Sequence, residues 1–135
     1  MKELTVPASR ESIPEVSAMI DGELEALDCP LKAQMQIDVA VDEMLANITS
    51  YAYEDGTGDL TVRFDYDAGR SAAVITFMDS GKPFNPLERE DPDVTLSVEE
   101  RQIGGLGIFL VKKTMDDMEY RRERDRNILT ITKFI

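Results

Sequence analysis

Between Ile13 and Tyr66 the apolar residues change period once, and that change limits the folds open to the chain. Ile13, Val16, Ile20, Leu24 and Leu27 recur at helical spacing, and after Cys29-Pro30 a second stripe runs through Ile37, Val41, Met44, Leu45 and Ile48. Beyond the turn-forming run Asp55-Gly56-Thr57-Gly58, Val62, Phe64 and Tyr66 alternate with Thr61, Arg63 and Asp65. The first pattern buries one side of two helices, and the second buries one face of a sheet whose other face is wetter. Helices segregated to one face of a mostly antiparallel sheet satisfy both.

The remaining elements fit that frame. Leu4 and Val6 mark a short opening strand that Pro7 ends. Ser9 is a candidate cap for the first helix, with Ser12-Ile13-Pro14-Glu15 as a competing start. The second helix is expected from Leu31 to Tyr53. After a turn at Asp67-Ala68-Gly69-Arg70, Ala72 to Met78 is continuously apolar, and Asp79 stands where that buried strand ends. Residues 80–105 show no period and contain Pro83, Pro86 and Pro92. Leu106 to Met115 reads as a helix, Met118 and Tyr120 open a strand, Asp125-Arg126-Asn127 turns the chain, and Ile128 to Phe134 completes the sheet. The expected fold class is an α+β two-layer sandwich with a mixed, mostly antiparallel sheet.

Composition excludes several kinds of chemistry. The 135 residues include 27 acidic and 15 basic side chains, a net charge of −12. Nucleic acid and anionic membrane both require a basic footprint, so neither is an expected partner. With no histidine there is no Ser-His-Asp triad and no phosphohistidine. The single cysteine, Cys29, forms no internal disulfide and reads as a core or boundary residue. The opening residues lack the apolar run of a signal peptide, so a cytoplasmic protein is expected.

Three short motifs could carry chemistry. Glu43 and Asn47 stand at i and i+4 on the second helix, flanking its apolar stripe. A carboxylate there can act as a base, and an Asn carbonyl oxygen can bind a hard cation; the plain alternative is an ordinary boundary pair. Asp79-Ser80-Gly81 follows a buried strand, so Asp79 can accept from an exocyclic amine and Gly81 lets a flat ring approach; a simple Asp-x-Gly turn is the alternative. Gly104-Gly105-Leu106-Gly107 opens a helix and can cradle an anion or serve as a hinge. It is neither a Walker A loop nor a dinucleotide fingerprint. The long run before it carries six acidic residues between 88 and 100 against Arg89 alone, and its length suits a lid.

In this order, Glu43-x-x-x-Asn47 with Tyr51-Ala52-Tyr53, Asp79-x-Gly81-x-Pro83-Phe84 and Gly104-Gly105-Leu106-Gly107 resemble the N, G1 and G2 boxes of the GHKL ATPases. Leu110, Met115 and Asp116 add a likeness to the stand-alone anti-sigma-factor serine kinases. The resemblance implies a Bergerat fold over residues 1–135 as one histidine-kinase-like ATPase domain, binding ATP with Mg²⁺. It implies Asn47 as the Mg²⁺ ligand and Asp79 as the acceptor from adenine. Gly81 would shape the adenine pocket, Gly104, Gly105, Leu106 and Gly107 would line the phosphates, and Thr130 would be a pocket threonine. Glu43 would be the general base. The implied partners are a sigma factor and an anti-anti-sigma (STAS-domain) protein, and the implied assembly is a homodimer. Relatives often carry an arginine where this chain has Ile103, so two activities stay open: phosphorylation of the partner, or nucleotide-gated binding without phosphotransfer.

Overall fold

Proline and turn residues set where the elements begin and end. The computed structural model describes residues 1–53, 58–88 and 105–135. Residues 55–57 of the expected turn, the acidic run beyond Glu88 and Gly104 lie outside the described residues. Strand β1 spans Lys2–Pro7. Ser9 then precedes a 3-10 turn, Arg10–Ser12, and helix α1, Ile13–Ala26, starts with proline in its first turn, where a missing N–H goes unnoticed. Helix α2 spans Leu31–Tyr51, two residues shorter than expected. The chain leaves the helix there because the Ala52 carbonyl accepts from Lys82 N and the Tyr53 hydroxyl donates to the Asp59 carbonyl.

Strands β2 (Asp59–Asp67) and β3 (Ala72–Asp79) form a hairpin. Helix α3 (Gly105–Thr114) leads into β4 (Asp117–Glu123) and β5 (Arg126–Phe134). The sheet order is β1-β2-β3-β5-β4, and every pairing is antiparallel. The β4–β5 turn consists of Arg124 and Asp125, both at positive φ (52° and 61°), which is the tight two-residue geometry matching strand twist. Asn127, expected in that turn, is therefore a strand residue, paired with Arg122 on one side and Asp79 on the other.

The helices cover one face of the sheet. Leu60, Val62, Ile75, Phe77 and Ile131 meet Ile20, Leu24, Ile37, Met44, Leu45 and Val111 in one buried cluster. Each such fully buried side chain contributes roughly 1.5–3 kcal/mol of transfer free energy. The opposite face carries Thr61, Arg63, Thr76 and Thr130, the wet face that the β2 alternation foretold. Among the described residues no helix is long and apolar enough to cross a membrane.

Candidate functional site

The C-terminal half of α2 and the ends of β3 and β5 enclose a recess. Its floor and walls include Met44, Ile48, Phe77 and Leu129, and its polar groups are Asn47, Asp79, Asn127 and Tyr120. Asp79 is only 5% exposed. Its Oδ1 accepts from Gly81 N at 2.9 Å and from Asn127 Nδ2 at 3.0 Å. Both bonds fall on one oxygen, and among the described residues none falls on Oδ2. The Gly81 bond requires a close turn, and a Cβ on Gly81 would collide with the Ala52 carbonyl. Glycine is therefore required here by packing against the end of α2.

Asn127 holds this corner together. Besides Asp79, its Nδ2 donates to the Lys82 carbonyl at 2.8 Å, and its Oδ1 accepts from Tyr120 Oη at 2.5 Å and from Phe84 N at 3.4 Å. Arg122 Nη1 donates to the Gly81 carbonyl at 2.7 Å, and Tyr53 Oη accepts from Ser80 N at 2.8 Å. The backbone that follows β3 is thus pinned by side chains from β4, β5 and the end of α2. Sequence reasoning missed Asn127, Tyr120 and Arg122; their shared parity, two apart across a tight hairpin, is the signal that could have found them.

On α2, Asn47 is buried, and its Nδ2 donates to the Glu43 carbonyl at 2.8 Å. That bond turns its Oδ1 away from the helix backbone, as an oxygen donor to a cation must be. Glu43 is half-buried and lies against the first turn of α3, where a Cβ on Gly107 would strike its carboxylate. Among the described residues no cluster of three or more acidic, His or Cys side chains could hold a metal alone. The donor set suits Mg²⁺, which keeps waters and phosphate oxygens and takes few protein ligands.

The structure brings Glu43, Asn47, Asp79, Gly81 and Gly107 to one side of the sheet. Gly105 begins α3; Leu106 follows in its first turn, and Gly104 is outside the described residues. Thr130 is a correction. It stands one residue out of phase with Asn127 and Leu129, so it points to the helix-free face, where its hydroxyl lies 3.5 Å from that of Thr76. It takes no part in the recess.

The recess is nearly filled. It offers about 20 Å³, space for little more than one water. Phe84, stacked on Tyr51 with ring centroids 6.2 Å apart, stands at its mouth. Little more than a water fits beside these rings as they stand.

Known proteins are similar to this chain in sequence and in fold. A serine-protein kinase RsbW of Halalkalibacterium halodurans is 28% identical over 98% of this chain and 82% of its own length. The protein of the same name from Bacillus cereus is 24% identical over 98% and 84%. A crystal structure of the RsbU and RsbW domains of Rv1364c from Mycobacterium tuberculosis superposes with a TM-score of 0.68 at 14% identity. It covers 99% of this chain, which spans only 32% of that longer protein, and shares its fold. Residues 6–133, from the opening strand to the end of the sheet, match the histidine kinase-like ATPase domains, and the chain belongs to that family.

Proposed function

We propose that the chain binds ATP with Mg²⁺ and phosphorylates a serine of an anti-anti-sigma, STAS-domain partner, and that it also sequesters a sigma factor. In this reading it works as a cytoplasmic homodimer. The observation that carries it is Asp79. A buried carboxylate, fixed through one oxygen by Gly81 and Asn127, offers the other to an exocyclic amine at the end of an apolar recess. Relatives named serine-protein kinases support the reaction type.

Each residue then has a distinct task. Asp79 accepts from adenine, and Gly81 keeps the backbone low enough for the ring. Asn47 presents Oδ1 to the metal. The first turn of α3, with Gly105, Leu106 and Gly107, directs backbone N–H groups toward phosphate oxygens. When bound, the nucleotide and metal supply a phosphoryl group whose transfer depends on positioning and charge neutralisation. Glu43 takes the proton from the incoming serine hydroxyl, a contribution of about 10²–10⁴-fold.

Calorimetry and a phosphotransfer assay with the candidate partner test the roles separately. Asp79→Asn points an amide donor at the adenine amine, and a loss of about 1–3 kcal/mol, roughly 5- to 150-fold in affinity, is expected. Asn47→Ala should weaken binding only when Mg²⁺ is present. Glu43→Gln should hold affinity within a few-fold and abolish transfer. Wild-type protein that binds no nucleotide at millimolar ligand would falsify the whole reading. Ile103, where the resemblance leads one to expect an arginine, favours a second reading as a nucleotide-gated binding module. Tight nucleotide binding with no transfer to any partner would select it.

A further inference from the structure

Away from the recess, the N-terminal half of α2 presents large apolar side chains to solvent. Leu31, Met35 and Val39 are 73%, 59% and 49% exposed. Spaced four residues apart, they form one ridge along the helix. Across from it on α3, Leu110 is 45% exposed. Met35, Val39 and Leu110, with Gln36 and Thr114, line a trough of about 200 Å³ between the two helices. A solvated helix face is normally polar, and a contiguous apolar strip marks an interaction surface.

One edge of this strip is acidic. At roughly 100° per residue, Asp38 and Asp42 project within about 20° of Leu31. Asp21 and Glu25 on α1 face them. Burial first, then the hydrogen bond to and repulsion from Asp21, then the charges of Asp42 and Glu25 push the Asp38 carboxyl up to about 7. Ser17 donates to Asp42, and Gln34 donates to Asp21. Among the described residues no ion pair offsets the negative charge of this cluster.

We infer that the α2–α3 trough and its acidic edge dock an amphipathic helix of a partner protein, with apolar side chains at helical spacing and Lys or Arg along one flank. The apolar anchors would fill the trough beside Met35, Val39 and Leu110, and the basic flank would meet Asp38 and Asp42. Charge complementarity selects this occupant over a second copy. Another chain of net charge −12 brings its own acidic edge to the same face. The proposal is independent of the nucleotide reading, since the trough shares no residue with the recess.

The test uses the full chain and a fluorescein-labelled synthetic amphipathic peptide, leucine on one face and lysine on its flank. A matched peptide carries glutamate in place of lysine. Fluorescence anisotropy should show saturable one-to-one binding of the lysine peptide and about tenfold weaker binding of the glutamate peptide. Met35→Glu should weaken the lysine peptide by about tenfold or more, and the milder Met35→Ala by a few-fold. At pH 8, above the range in which Asp38 holds its proton, Asp38→Asn with Asp42→Asn should weaken binding and flatten its salt dependence. Glu119→Gln with Glu123→Gln, on β4, removes the same charge elsewhere and should change little. Equal binding of both peptides overturns the proposal, as do wild-type affinity in Met35→Glu or equal effects from the two charge pairs. So does a wild-type dimer that Met35→Glu dissociates, which would give the trough to a second copy.

Discussion

At the scale of single residues, the recess depends on one side-chain amide on β5 that joins four other groups. Asn127 satisfies Asp79, Lys82, Tyr120 and Phe84 together. Replacing it with alanine frees the Asp79 carboxylate to rotate and leaves the Tyr120 hydroxyl without its acceptor. Asn127→Ala should therefore lower both nucleotide affinity and unfolding free energy by about 1–3 kcal/mol. Thr130→Ala, three residues along the same strand, should leave affinity unchanged. Calorimetry and urea unfolding on the two variants check this directly. The positions of Glu43, Asn47, Asp79 and Gly81 on their elements were legible because each stands at an element end or a stripe flank that periodicity marks. Asn127 was not, because the tight turn is built from Arg124 and Asp125 with no glycine or asparagine at either positive-φ position. Shifting that turn along the chain hid Asn127 in a loop, and Thr130, on the alternate parity, took the place in the pocket that its face forbids.

At the scale of elements, two helix contacts make measurable statements. Where α1 meets α2, the raised Asp38 pKa means the native state holds a proton that the unfolded chain, near 3.8, releases. By linkage, stability then falls as pH rises between about 4 and 7, and levels off above. Asp38→Asn should remove that decline and be more stable than wild type at pH 8, while differing little at pH 4; urea unfolding at both values reads it. Where α3 meets α2, Gly107 lies against the Glu43 carboxylate. Gly107→Ala gains up to about 1 kcal/mol of helix propensity, and the carboxylate, the free end of a flexible side chain, gives way. Melting temperature should stay level or rise while phosphotransfer drops, a separation that a packing role for Gly107 would not produce. The helices and their buried stripes were readable from spacing alone. The end of α2 was not, since Tyr53 leaves the helix for long-range bonds that local pattern does not encode.

At the scale of the molecule, the order of elements was visible in the sequence but the order of strands in the sheet was not. Period and turn chemistry are local, whereas β3 and β5 become neighbours through α3 and β4. That neighbourhood fixes when the chain becomes competent. The Asp79–Asn127 bond spans 48 residues. During synthesis at about 5–20 residues per second, Asp79 exists for roughly 2–10 s before its partner has been added. Through that interval the first hairpin and both long helices are already made, yet the carboxylate has no amide to aim it. A ribosome stalled ahead of the final strand would carry a nascent chain unable to capture nucleotide. The last strand to be made is thus the one that completes the recess.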